Sequence, residues 1–250
     1  MSFGALAAGL ALTVVAVILA WPAPIVLSRA AWPARAPVRA LLLWQAIALA
    51  GGLSMVGALW LIGTAFFPRH PWIAGIPAAA LAAYLVGHLV VTVIVFERQR
   101  RRHLQLLLLL SQPDPDRKRT LVLDDQAPVA YCLPRGVGSV TVLSRGLFEA
   151  LDDDELAAVV AHERAHVEQR HEVLRVSFQA WRGALPWFPM AARAESEVEA
   201  LVEMLADDQA RKTQPDEVLA RAILAVGRVH GEGASSRRNR AADRFRRLAG

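Results

Sequence analysis

The chain has 250 residues, 54% of them hydrophobic, with a mean hydropathy of +0.32 and a net charge of +5. That apolar content is too high for a water-soluble domain carrying 20% charged residues, so it must be concentrated in part of the chain. A single cysteine, Cys132, excludes an internal disulfide framework, a CxxC redox pair and any multi-cysteine metal site, and leaves a cysteine-free metal or catalytic site open.

Three uncharged runs fill the first hundred residues: Phe3 to Trp21, Ala40 to Phe67 and Pro71 to Phe96. Each reaches the roughly 18 to 20 residues that a helix needs to cross a hydrocarbon layer about 30 Å thick. Three spans are expected, the last two joined by only Pro68, Arg69 and His70. Trp21, Trp72 and Trp44 fall near the expected ends, where an amphipathic ring suits the headgroup layer. No basic segment precedes the first run, so it reads as a retained helix and not as a cleaved leader. The loop of residues 22 to 39 carries Arg29, Arg35 and Arg39, the second loop only Arg69, and Glu97 to Arg102 four arginines against one glutamate. Counting positive charges places the N-terminus outside and everything after Phe96 in the cytoplasm. His88, inside the third span, reads as a helix-packing histidine.

The third span is expected to continue as helix through Leu110 and to end at a Pro-rich, charged linker, Ser111 to Arg119. Strand-like runs follow at Thr120 to Leu123, Val129 to Leu133 and, after the turn at residues 134 to 138, Ser139 to Leu143; they predict a small antiparallel sheet. Asp152 and Glu155 form a capping-box pattern opening a helix from about Asp153 to Arg170. Further helices are expected over Val173 to Leu185, Ala191 to Lys212 and Asp216 to Val229. Gly231 to Asn239 reads as a flexible linker before a basic tail.

The first of these helices carries His162-Glu163-Arg164-Ala165-His166. Four residues turn a helix by about 400°, so His162 and His166 share a face and their rings can meet on one metal ion, with Glu163 beside them to hold a water. Chance would give this H-E-x-x-H pattern in roughly one shuffled chain in a hundred. A catalytic zinc needs three protein ligands and one open position. Glu168, His171 and Glu172 fall off the face of the two histidines, so the third ligand must come from elsewhere. Glu203 and Asp207, one turn apart on a later helix, let one carboxylate bind metal while the other accepts the N–H of a ligating histidine. Glu203 is the expected ligand, with Glu199 its rival one turn earlier.

These residues, preceded by LSRGLFEALDDDELAAVVA and followed by Glu203-x-x-Ala206-Asp207, resemble the gluzincin-type integral-membrane metallopeptidases over roughly residues 40 to 230. Among these the chain is most similar to the beta-lactam-sensing antirepressor proteases. The resemblance implies one Zn2+ per chain held by His162, His166 and Glu203, with Glu163 as catalytic acid/base and Asp207 as the aspartate of the E-x-x-x-D motif. It also implies a bacterial plasma-membrane protease acting on a cytoplasmic protein, such as a winged-helix transcriptional repressor. The sensor proteases carry a further membrane helix and an extracellular penicillin-binding domain that are not seen here, and no Ser-x-x-Lys motif of an acylatable sensor occurs. Antibiotic sensing is therefore not expected. Housekeeping membrane proteases that degrade damaged membrane proteins share both motifs and give the alternative role; a zinc-binding signalling scaffold without proteolysis is the alternative of another class.

The expected architecture is thus a helical membrane protein with an α+β, mostly helical, zincin-like catalytic domain. Its parts are a membrane domain over residues 1–97, a juxtamembrane helix and linker over 98–119, a peptidase domain over 120–230 and a basic flexible tail over 231–250. Ser139 to Leu143 is expected to be an edge strand whose Val140, Thr141 and Val142 hold an extended peptide substrate. The clusters Arg98 to Arg102, Arg117 to Arg119 and Arg237 to Arg247 lack an aromatic platform or helix-turn-helix, so they are assigned to lipid headgroups, with no direct nucleic-acid partner.

Overall fold

Apolar runs without an acid or base become the long helices of the structure, a computed structural model that describes residues 3–134, 139–229 and 244–248. The chain divides into two units, one of Met1–Val95 with Arg175–Leu201, the other of Phe96–Leu174 with Val202–Gly250.

In the first unit, α1 (Phe3–Ala20) is followed by the short α2 (Pro22–Arg29), a 3-10 turn at Trp32–Ala34, α3 (Pro37–Phe66) and α4 (Pro71–Leu110). Three segments, Phe3–Arg29, Pro37–Phe66 and Pro71–Leu110, are long and apolar enough to cross a membrane. Side chains such as Leu49, Leu53 and Val86 are at least 60% exposed, an apolar surface that lipid covers at no cost and water does not. Where α1 meets α3 the backbones come close: a Cβ on Gly9 would lie 2.7 Å from Cγ1 of Ile62, so only glycine fits.

Residues 175 to 201 belong to this unit and divide between two helices, α7 (His171–Ala184) and α8 (Pro189–Ala210). The Tyr84 hydroxyl donates to the carbonyl of Ala184 at 2.8 Å, and the Gln45 amide donates to Ser177 Oγ at 3.3 Å. The ring of His88 fills the space that a side chain at Gly183 would need, and is thus packed between helices. Trp21 and Trp72 are exposed, as interfacial rings would be, whereas Trp44 is buried in protein. The stretch 175–201, expected within a peptidase domain over 120–230, is grouped by its contacts with the membrane helices.

In the second unit α4 continues from Phe96 to Leu110 and leads into β1 (Ser111–Pro113), β2 (Thr120–Leu123), β3 (Ala130–Pro134) and β4 (Ser139–Ser144). The strand order is β1-β2-β4-β3. β2 and β4 run parallel, Leu121 opposite Val142, while β1 pairs β2 and β3 pairs β4 antiparallel. The sheet is therefore mixed, not wholly antiparallel, and its first strand comes from the segment expected to be linker. The Ser144 hydroxyl accepts the N–H of Leu147 to start α5 (Arg145–Ala150). Asp152 and Glu155 then form the expected capping box at the start of α6 (Asp153–Glu168). Just past the end of α6, Arg170 has a φ of 50°, in the left-handed region that glycine normally fills after a helix, at a cost of about 1 kcal/mol. Leu143, Leu147, Leu151 and Leu156 form one core between sheet and helices. Ala158, Ala210, Leu219 and Ile223 form a second, built with α9 (Asp216–Val229) and a helical turn at residues 244–248 that contributes Leu248 and Phe245.

Within the tail expected to be flexible, residues 244–248 form this helical turn. Phe245 and Leu248 pack into protein. The linker expected over Gly231 to Asn239, and most of the turn at 134 to 138, lie outside the described residues.

The close approach at Gly9 gives a direct test. Gly9→Val should lower the stability of the detergent-solubilised protein by about 1 to 3 kcal/mol through overpacking against Ile62, measured by thermal denaturation; an unchanged melting temperature would contradict the packing described.

Candidate metal centre

Helical periodicity assembles the centre from two helices. His162 and His166 lie one turn apart on α6, and Glu203 and Asp207 one turn apart on α8. His162 Nε2 is 3.1 Å from His166 Nε2 and 3.4 Å from Glu203 Oε2, and His166 Nε2 is 3.6 Å from Glu203 Oε1. Ligands at zinc–ligand distances near 2.0 to 2.1 Å on three corners of a tetrahedron are separated by about 3.3 Å. With Glu203 turning Oε2 toward His162 and Oε1 toward His166, the three residues thus set their nearest ligand atoms at about the spacing of tetrahedral corners, with a fourth corner left for another group. Glu199, the rival ligand, instead pairs with Arg175 at 3.3 Å.

The outer contacts fix the rings. Asp207, 1% exposed, lies with Oδ1 2.9 Å from Nδ1 of His162, so it accepts that N–H and leaves Nε2 facing the other two ligand atoms. Arg244, on the C-terminal turn, closes the other side of Asp207 with two hydrogen bonds, Nε to Oδ2 at 2.7 Å and Nη2 to Oδ1 at 2.6 Å. It also donates from Nη1 to Glu203 Oε2 at 3.2 Å. Beside it, Arg247 donates to Asp208 at 2.7 Å and to the carbonyl of Met204. Arg244 went unread in the sequence because it sits in an arginine-rich tail, 41 residues from Glu203. The signal that would have found it is the turn-length spacing of Arg244 with Arg247 and of Phe245 with Leu248, which marks a packed helix with a charged side.

Charge and burial tune these groups against one another. Burial opposes a charged imidazole, but the hydrogen bonds to Asp207 and Glu203 outweigh it and raise His162 to about 9. Burial likewise opposes the Glu203 and Asp207 carboxylates, yet His162 and Arg244 hold Glu203 well below the usual range and lower Asp207 as well. Glu163 has no such pairing. Burial, with the negative charge of Glu203 added, pushes its carboxyl up to about 7 against the pull of His162 and Arg244. Its charge is also felt by Tyr131 and Cys132 of strand β3. Burial pushes the Cys132 thiol up as well, and the residue behaves as a small apolar side chain.

The expected substrate strand is corrected. Val140, Thr141 and Val142 belong to β4, which is hydrogen-bonded to β2 on one side and β3 on the other, so no backbone edge is free there. β3 is the edge strand on that side of the sheet among the described residues. Ser144 N–H bonds to the carbonyl of Val129, so by antiparallel alternation Val129, Tyr131 and Leu133 face β4. Ala130 and Cys132 direct their N–H and C=O groups away from the sheet.

Residues 80–221 match the peptidase family M48, a stretch that runs from within α4 through the H-E-x-x-H helix and Glu203 to α9. The chain belongs to peptidase family M48. A search of curated proteins and a search of solved structures each gave no match. Membership makes it a zinc-dependent metallopeptidase, and its three apolar helices make it a membrane-associated one. The matched stretch ends before Arg244.

Removing Arg244 would leave Asp207 buried with a single partner. Arg244→Ala should therefore cost about 3 kcal/mol in denaturant unfolding, and adding Asp207→Asn to that variant should recover part of the loss. Additive losses in the double variant would show that the two side chains are not coupled.

Proposed function

We propose that the protein is a membrane-bound zinc endopeptidase that cleaves an extended segment of a cytoplasmic or membrane-associated protein, in regulatory proteolysis. The observation that carries this reading is the cluster of His162, His166 and Glu203 with the carboxyl of Glu163 next to it on α6 and, among the described residues of the same unit, an edge strand, β3.

One zinc ion held by His162, His166 and Glu203 would act as a Lewis acid, polarising the scissile carbonyl and bringing the pKa of a water toward about 7. Glu163 takes the proton of the attacking water and returns it to the leaving amine, for which a carboxyl pKa close to the working pH is the efficient value. Asp207 holds the tautomer of His162, and Arg244 holds Asp207. The substrate pairs as an added antiparallel strand with Ala130 and Cys132 of β3, which brings its backbone past Glu163 and demands a locally unfolded segment.

The arginine counts of the loops put the N-terminus outside and this centre in the cytoplasm. A winged-helix repressor is a substrate of the right kind for the regulatory reading. Turnover of damaged membrane proteins is the second reading, favoured by the same demand for an unfolded segment.

Glu163→Gln should retain one zinc per chain by elemental analysis while kcat falls by about 100-fold or more. Comparing the proteomes of wild type and this variant identifies what accumulates: a single regulator supports the regulatory role, a broad set of membrane proteins the quality-control role. An unchanged phenotype would point to a scaffold. Ala130→Pro removes one outward N–H without touching the β4 ladder, so kcat/KM should drop about 3- to 10-fold with zinc content intact, as for one lost hydrogen bond. Full activity of that variant would refute strand pairing.

A further inference from the structure

We propose that His171 is a positioning residue for His166, acting at the inner end of a hydrogen-bond relay that is anchored at its outer end by Lys212. The proposal rests on the reading of His162, His166 and Glu203 as zinc ligands.

The relay runs through five side chains of the same unit. Lys212 Nζ lies 2.7 Å from Gln209 Oε1, and Gln169 Nε2 lies 3.3 Å from the same oxygen. Gln169 Oε1 lies 2.8 Å from His171 Nε2, and His171 Nδ1 lies 3.0 Å from His166 Nδ1. An ammonium group only donates, so Gln209 must present its oxygen to Lys212. The second lone pair of that oxygen accepts from Gln169, which fixes the Gln169 amide with its own oxygen toward His171. His171 must then carry its proton on Nε2, and as a neutral imidazole it has a bare Nδ1. Two nitrogens 3.0 Å apart share one hydrogen, which can only be on Nδ1 of His166. The consequence is that His166 Nε2 keeps its lone pair, aimed at Glu203 and His162.

The backbone supports the assignment. On a continued helix, five residues would carry His171 about 140° away from His166. The left-handed residue Arg170 breaks α6 and folds the chain back, so that His171 is 1% exposed and meets His166 edge-on at 5.0 Å between ring centres. A strained backbone at a non-glycine position persists where its surroundings hold it, and here what it delivers is the His171 ring. His171 itself is no ligand, since both of its nitrogens are already engaged.

The test uses the full chain in detergent, stripped of metal and titrated with Zn2+ against a chromophoric chelator, with the visible spectrum of the Co2+ form as a second readout. His171→Leu should bind Zn2+ about 10- to 100-fold more weakly than wild type. His171→Asn, whose Oδ1 stands where Nδ1 stood, should stay within about threefold of wild type. Gln169→Ala, a change at an exposed position, should weaken binding in the same direction as His171→Leu and alter the Co2+ spectrum. Equal losses in the Leu and Asn variants would overturn the relay, because the ring would then only fill space. Wild-type affinity in the Leu variant would overturn it too. Should His171→Leu fail to fold, an unchanged affinity and spectrum in Gln169→Ala has the same force. A wild-type protein that binds no Zn2+ would instead overturn the reading of the ligands, and the relay with it, whereas normal wild-type binding with indifferent variants sinks the relay alone.

Discussion

A carboxylate removed from water must be met by cations and hydrogen-bond donors, and Asp207 is such a group. Its two oxygens take the N–H of His162 on one side and the guanidinium of Arg244 on the other. That pairing joins three parts of the chain that are far apart in sequence: the H-E-x-x-H helix, the second ligand helix and the C-terminal turn. Because Glu203 is one turn from Asp207 and Glu163 is next to His162, fixing this one ion pair also fixes where the proposed ligand and the proposed base sit. The apolar contacts of Leu248 and Phe245 keep the turn in place, so burial of two hydrophobic side chains supports a polar contact at the centre.

What could be read in the sequence was local. The H-E-x-x-H spacing, the Asp152–Glu155 cap and the Glu203–Asp207 pair all depend on relations within one or two turns of a helix, and helix geometry converts such spacing into a shared face. The length and polarity of the apolar runs likewise define helices without reference to anything distant. The errors were all nonlocal. β3 follows β2 in the chain but pairs on the far side of β4, and no pattern within Ser139–Ser144 distinguishes a central strand from an edge strand when all its neighbours are short. Arg244 finds its acids 37 and 41 residues upstream, where an arginine count sees only net charge.

Domain limits are a related case. Composition marks loops, and Ser111 to Arg119 is the most loop-like stretch of the chain, yet part of it is β1. The division between the two units falls inside α4, α7 and α8, where the helices run on without a break. A helix changes neighbours partway along while keeping its hydrogen-bond ladder, so no proline, glycine or charge cluster has to mark the place. Polar residues in α7 and near it, Ser177 with Gln45 and the Ala184 carbonyl with Tyr84, belong to packing with the membrane helices and not to a solvated surface.

The two histidines of the centre are held differently, and charge balance gives the reason. His162 has an anion behind it, Asp207, while His166 has a neutral ring, His171. When ionised, Glu163, Glu203 and Asp207 bring three negative charges, against which Arg244 sets a single fixed positive one. A divalent cation supplies the two that remain, so the loaded centre is neutral and carries no unpaired buried charge. A carboxylate in the place of His171 would hold His166 in the same tautomer but leave one negative charge in excess. That excess would push the Glu163 carboxyl further up, against the proton transfer proposed for it. A neutral acceptor behind the second histidine avoids that cost, and its orientation then has to be set from outside, by a chain of amides ending on a lysine at the surface.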